Sequence, residues 1–231
     1  MVPIDCARAY HWADIMSIEK RKYELKARAQ KLDETRQRIV EATVGLHRDI
    51  GPARTTVSEI ARRAGVRRDT VYNHFPDSGE LFAACGDYSM AQNPPPDLSA
   101  ALALDAPAGR LHAVLTAFYS WYREIASGLQ HLQRDRLVLP ALDAAMRVRI
   151  DEPLAKLVDS LLAGFPSSDE SRDGRRAIIA VALDFWTWRR LDREGLSDEQ
   201  AAALMTAAAE AIAAPDSGTA GDRQGRKGSR R

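Results

Sequence analysis

At 231 residues, 45% of them apolar and 28% charged, the chain is long enough for one large or two small domains, each able to bury a core. Its two cysteines, Cys6 and Cys85, exclude a disulfide scaffold or a cysteine metal centre; the absence of any eighteen-residue apolar run or basic-then-apolar leader makes a cytoplasmic location the expectation. The net charge of +1 conceals a division, because residues 20–76 carry 14 Lys/Arg against 7 Asp/Glu and residues 77–214 carry 13 against 20, which assigns any polyanion binding to the first part.

Residues 1–19 hold no sustained pattern; they are expected to be disordered, or to lie ahead of a true start at Met16. A basic run then opens with Lys20, Arg21, Lys22, Lys26, Arg28 and Lys31. From residue 34, Ile39, Ala42, Leu46 and Ile50 recur at steps of three and four, one face of a helix that ends at Gly51-Pro52. Thr56-Val57-Ser58-Glu59 has the form of a capping box, in which hydroxyl and carboxylate each satisfy an orphan backbone N–H, and it opens a second helix over 57–64. Gly65 supplies the freedom for a tight turn, Val66 plugs the angle between helices, and residues 68–74 form a short third helix ending near Phe75-Pro76. Ile60, Ala61, Ala64, Val66, Val71 and Phe75 form a compact core between the helices. A fourth helix over 79–88 leads to the breaker Asn93-Pro94-Pro95-Pro96, which closes a first domain of residues 20–92. Cys85 reads as a small buried apolar residue.

A second domain is expected over 97–214. Leu111, Leu115, Phe118, Tyr122 and Ile125 step by four and three, and Leu142, Met146, Ile150, Leu154 and Leu161 mark another helical stretch that Pro153 kinks or restarts. Residues 164–174 read as a polar surface loop. One long helix over 175–193 follows, with Ile178, Val181, Phe185 and Trp188 along one side. Ser197-Asp198-Glu199-Gln200 is a second capping box and opens an Ala-rich helix running to Pro215. No segment alternates as a strand does, so the fold class is all-α. The tail 215–231, rich in Gly, Arg and Ser, is expected to be disordered.

The run from Thr55 through Thr56-Val57-Ser58-Glu59-Ile60-Ala61, Ala64-Gly65-Val66 and Thr70-Val71-Tyr72-Asn73-His74-Phe75 to Leu81-Phe82 resembles the helix-turn-helix of TetR/AcrR transcriptional regulators. The resemblance spans residues 34–88. It implies an all-α homodimer with an N-terminal three-helix DNA-binding domain and a C-terminal ligand-binding and dimerisation domain. It also implies a repressor that releases a palindromic operator when a small apolar or aromatic effector binds.

At the start of the third helix, Arg68, Asp69 and Thr70 are the base-edge candidates: Arg68 can offer a bidentate fork to guanine O6 and N7, and Thr70 can touch a thymine methyl or a phosphate. The resemblance places Tyr72 and His74 on phosphates, with Thr55 and Thr56 joining them from the start of helix two, and Asn73 belongs to the same DNA-binding set. Three positions depart from the family pattern. Arg67 stands where a Ser or Thr usually caps the third helix and is read as a DNA contact, in place of the missing cap. Asp69 often aligns with Gly, and either accepts from cytosine N4 or complements the helix dipole. Ser78 replaces a phosphate-binding Lys; the basic segment 20–38 either compensates along the backbone or in a minor groove, or is a solvated helix face.

Large rings crowd two stretches of the second domain. Phe118, Tyr119, Trp121, Tyr122, Phe185 and Trp186 divide between core and the lining of an effector cavity, with His112 or Tyr119 as a polar orienting group. Ala201, Ala203, Ala207, Ala208 and Ala211 are small enough for close helix approach across a dimer axis. No Gly-rich phosphate loop, Cys/His metal spacing or Gly-x-Ser-x-Gly elbow occurs, so no enzymatic activity, cofactor or metal is expected. The competing reading is a dimeric helical interaction protein that has lost operator binding.

Overall fold

The computed structural model describes residues 6–165 and 169–212, of which 6–21 and 169–170 are described as backbone only. Among them there is no strand. The chain divides into two compact units. The first combines Met1–Gln92 with Gln130–Ala145, and the second combines Asn93–Leu129 with Met146–Arg231.

In the first unit, α1 (Cys6–Ile50) joins the basic run and the first apolar face into one helix, because nothing between them breaks helical geometry. It starts well inside the segment 1–19 expected to lack order; residues 1–5 of that segment lie outside the described residues. A 3-10 turn (Pro52–Arg54) leads to α2 (Val57–Ala64), α3 (Arg68–His74) and α4 (Ser78–Gln92). Their core is Ile39, Val40, Ala42 and Leu46 of α1, Ile60, Ala61 and Ala64 of α2, Val71 and Phe75, and Ala84 and Cys85 of α4. Burial pushes the Cys85 thiol up to about 12, so it is an inert apolar filler at neutral pH.

The first unit departs from the contiguous domain read in the sequence by recruiting residues 130–145. They comprise the end of α6 (Pro107–Asp135) and most of α7 (Pro140–Met146). Gly51 explains the fit. It sits at φ 90, open to glycine at little strain, and a Cβ there would collide with the Arg134 and Asp135 side chains.

In the second unit, the α6 residues Leu111, Val114, Leu115, Phe118, Tyr119 and Tyr122 are buried. A short α5 (Ser99–Leu102) precedes them. After α7 the backbone passes through a π-helical stretch (Arg147–Asp151) into α8 (Glu152–Leu162), whose first turn holds Pro153. Proline leaves the carbonyl four residues back without its donor, and a π stretch is one way a helix absorbs that loss. α9 (Asp169–Ala182) packs on α8 and on α11 (Asp198–Glu210), which also receives α10 (Phe185–Arg193).

Two expectations fail here. The polar loop of 164–174 is cut short, because helix α9 already begins at Asp169; residues 166–168 lie outside the described residues. The single helix of 175–193 is two helices, parted at Leu183-Asp184. Asp184 adopts ψ 135 and accepts the N–H groups of Trp186 and Thr187 as the cap of α10. The break frees the Ala182 and Leu183 carbonyls, and the buried Tyr119 and Tyr122 hydroxyls donate to them, each at 2.7 Å. Of the side read in the sequence, Phe185 and Trp188 are buried as expected, but Val181 is 47% exposed and Ile179, Ala182 and Leu183 are buried ahead of the break. The second capping box forms as read, with Ser197 as cap and Gln200 returning the bond. The tail 215–231 lies outside the described residues.

Candidate nucleic-acid interface

The recognition geometry starts from Thr56. Its hydroxyl accepts the Glu59 N–H at 3.3 Å, while the Glu59 carboxylate accepts the Thr56 N–H at 3.0 Å and hydroxyl at 2.8 Å. These bonds to Thr56 hold the Glu59 carboxyl below its usual range. The Thr55 hydroxyl donates to the Gly51 carbonyl at 2.9 Å. Both threonine hydroxyls therefore brace the entry to α2. At its far end Gly65 takes the left-handed conformation, φ 68, and the Val66 N–H returns to the Ala61 carbonyl at 2.9 Å. That closure sets the angle at which α3 departs.

Val71, 2% exposed, and Phe75 are the anchors of α3, and the Arg36 guanidinium covers the Phe75 ring 4.6 Å from its centroid. With that side held, the opposite side faces out. Arg67, Arg68, Asp69 and Asn73 are exposed, Tyr72 is 48% exposed, and Thr70 and His74 are half-buried. Among the described residues, neither Arg67 nor Arg68 makes a side-chain hydrogen bond or ion pair. Arg67 occupies the cap position of α3 with no capping bond, as the sequence indicates. α3 thus presents two unneutralised cations, an aromatic hydroxyl and an amide on one surface, a set suited to phosphate oxygens and base edges.

The turn leading into α2 is held from behind. The Asp135 carboxylate accepts the Ala53 N–H at 2.9 Å and the Arg134 Nε–H at 2.6 Å. Burial raises the carboxyl, but the Arg134 and Ala53 bonds outweigh it and leave Asp135 below its usual range. His131 Nδ1 donates to the Arg48 carbonyl at 3.1 Å, one of the unsatisfied acceptors in the last turn of α1.

Of the large rings read as effector contacts in the second unit, all but Tyr119 join Trp188 in one aromatic cluster of edge-on and tilted pairs. Phe118, Trp121, Tyr122, Phe185, Trp186 and Trp188 touch in a chain of pairs with centroids 5.2 to 6.0 Å apart. Phe118, Tyr119, Tyr122 and Phe185 are buried, and the Tyr119 hydroxyl is already bonded to the chain break described above. Trp121 is half-buried and Trp186 is 45% exposed. His112 is half-buried and pairs with Glu199 at 3.3 Å.

Comparison with known proteins bears on the first unit directly. The family model described as bacterial regulatory proteins, tetR family, matches residues 39–85. An HTH-type transcriptional regulator of Mycobacterium tuberculosis (strain CDC 1551 / Oshkosh) is 30% identical over 160 residues, 65% of this chain and 77% of its own length. The chain belongs to the TetR family. The HTH-type transcriptional regulator AcrR of Shigella flexneri is 38% identical over 60 residues, which cover 26% of this chain and only 28% of that regulator. A TetR-like transcriptional regulator from Rhodococcus sp. RHA1, known as a crystal structure, superposes with a TM-score of 0.53 at 20% identity, over 76% of this chain and 93% of its own. The relatives are transcriptional regulators, not enzymes.

Within this TetR-family chain, sequence reasoning found the whole exposed set on α3 and missed its supports. Asp135, His131 and Arg36 act across long sequence separations, which local patterns do not register. Asp77 was legible: it precedes Glu80 by three and accepts the N–H groups of Gly79 and Glu80 at the start of α4.

Proposed function

We propose that this protein is a ligand-responsive regulator that binds a palindromic operator as a homodimer and, as a repressor, releases it when a small apolar or aromatic effector binds. The observation that carries the reading is the outward row of α3, where Arg67 and Arg68 stand without partners beside Asp69, Tyr72 and Asn73 while Val71 and Phe75 anchor the other side. Arg68, Asp69 and Thr70 read base edges. Arg67, Tyr72, Asn73 and His74 hold phosphates, and Thr55 and Thr56, whose hydroxyl and N–H donors are committed to Gly51, Pro52 and Glu59, set the start of α2 for the same surface.

Dimerisation is supported by small exposed side chains on two neighbouring helices: Ala203, Ala207 and Ala211 with Leu204 at α11, and Ala177, Ala180 and Val181 on α9. Ala201 of the expected set turns instead into its own protomer. Two-fold symmetry then requires two half-sites matching the spacing of the two recognition helices. Of the candidate effector contacts, Trp121, Trp186 and His112 keep solvent access, whereas Phe118, Tyr119, Tyr122 and Phe185 are buried. An effector displaces the operator only by its preference for the non-binding conformation. No helix among the described residues is long and apolar enough to cross a membrane; a cytoplasmic location goes with the proposed action on DNA.

A mobility-shift titration with DNA from upstream of its own gene tests the proposal. Arg68→Ala is expected to relax preference at one base pair, weakening binding there by about 1–3 kcal/mol, whereas Tyr72→Phe weakens all DNA alike. A dimer that ignores every such fragment at low salt would sink the reading.

A further inference from the structure

Residues 22–34 of α1 contribute no buried side chain to the core of the first unit: each is exposed, and among the described side chains of the helix the first buried one is Ile39. Over residues 22–38 there are six Lys/Arg against three Asp/Glu, so this stretch is cationic where it stands free. Among the described residues, Lys22, Lys26, Arg28 and Lys31 make no ion pair.

Two contacts relate this helix to α3. The Arg36 guanidinium lies over Phe75, the residue that ends α3, and the Arg38 guanidinium lies beside Gly65, in the turn ahead of it. At about 100° per residue, Lys22 lies about 40° and Lys26 about 80° around the helix from Arg36, while Lys31 lies about 20° from Arg38 on the other side. The two contacts near the recognition helix are thus continued outward by unpaired cations on or near the same sides. Lys22 lies about 21 Å along the axis from Arg36, at about 1.5 Å per residue, the length of roughly six base pairs of duplex.

We propose that residues 22–38 of α1 are a second DNA-contacting element, lying along the phosphate backbone of the duplex beside the site that α3 reads. The proposal rests on the helix-turn-helix function above and adds a sequence-independent grip to it. Lys ammonium groups on flexible stems suit phosphates, which take a point charge from many directions; they carry no base code. Binding therefore gains affinity, salt dependence and footprint length without gaining sequence preference.

Fluorescence-anisotropy titration of the full chain with its upstream DNA, between about 50 and 200 mM salt, tests this against the variant Lys22→Ala/Lys26→Ala/Arg28→Ala/Lys31→Ala. Alanine favours the helix, so circular dichroism and dimer mass should be unchanged. The variant is expected to bind at least tenfold more weakly at the lower salt. Its logarithmic salt slope should be shallower by about 1.8 or more, since each lost phosphate contact removes about 0.9. Trimming roughly six base pairs from each end of the footprint should weaken the wild-type chain and leave the variant unaffected. Equal affinity and equal slope for the two proteins overturn the proposal and leave the exposed helix, with Leu25 and Leu32, to a protein partner. A wild-type chain that binds no fragment, Arg68→Ala included as control, overturns the underlying reading as well.

Discussion

The carboxylate of Asp135, the last residue of α6, accepts the backbone N–H of Ala53 across 82 positions of sequence. Ala53 sits in the turn between α1 and α2, so this bond fixes the entry to the helix pair that presents Arg67 and Arg68. The carboxylate is buried, and removing it strands a backbone donor, while the Arg134 guanidinium, 46% exposed, turns to water. Asp135→Ala is expected to lower stability by about 1.5–3 kcal/mol, the range for hydrogen bonds to charged groups. Asp135→Asn keeps a carbonyl acceptor for Ala53 and should lose less. Urea unfolding of both variants checks the order; equal losses would mean that the Ala53 bond contributes little.

His47 gives the first unit a sensitivity to acid. Burial lowers it to about 4, more than the nearby Asp135 charge raises it, and its ring stacks on Phe82 at 5.6 Å. The folded chain therefore keeps the imidazole neutral where the unfolded chain protonates it, and stability present above the unfolded value of 6.5 is lost as pH falls toward 4. Through that window the loss from this one group approaches about 1.4 kcal/mol per pH unit. His47→Gln should flatten the slope between pH 6.5 and 4, measured as urea midpoints at several pH values. An unchanged slope would assign acid sensitivity elsewhere.

The sequence made α2, the Gly65 turn and α3 legible because each is decided locally, by a capping hydroxyl, a left-handed glycine and apolar anchors three or four residues apart. The exposed set on α3 follows directly from Val71 and Phe75 being its anchors. What stayed hidden is decided at a distance. The spacing of Ile178, Val181, Phe185 and Trp188 fits a continuous helix well, yet the chain breaks at Asp184, where Tyr119 and Tyr122 supply the hydrogen bonds that the helix forgoes. For the same reason those two tyrosines, read as effector contacts from their place on an aromatic face, have hydroxyls already committed to the fold.

Arg123 is expected to be the principal polar tie of the second unit. Its Nε and Nη2 form a fork on the Asp198 carboxylate at 3.0 and 2.8 Å, and its Nη1 reaches Asp192 at 2.8 Å. The guanidinium lies 5.6 Å from the Trp188 ring, whose Nε1–H also donates to Asp198. A lysine can reproduce the charge but not the planar fork. Arg123→Lys should therefore fall well short of wild-type stability, and Arg123→Ala should lose about 1–2 kcal/mol once partial exposure is discounted. Thermal or urea unfolding decides; a Lys variant matching the wild type would reduce the contact to simple charge pairing.

Arg67 should separate stability from function with opposite signs. It caps α3 without a capping bond, at a helix end whose partial positive charge opposes the guanidinium. Arg67→Ser supplies the missing acceptor to the first-turn N–H groups, and should stabilise the chain by about 0.5–2 kcal/mol. The same substitution removes an unpaired cation from the DNA-facing side, so affinity should fall for all sequences and the logarithmic salt slope should drop by about 0.9. Unfolding and anisotropy on one protein preparation measure both arms. Higher stability with unchanged DNA binding would show that Arg67 is a tolerated bad cap and no part of the interface. Lower stability would mean that the guanidinium supports the fold in a way the geometry of α3 does not express.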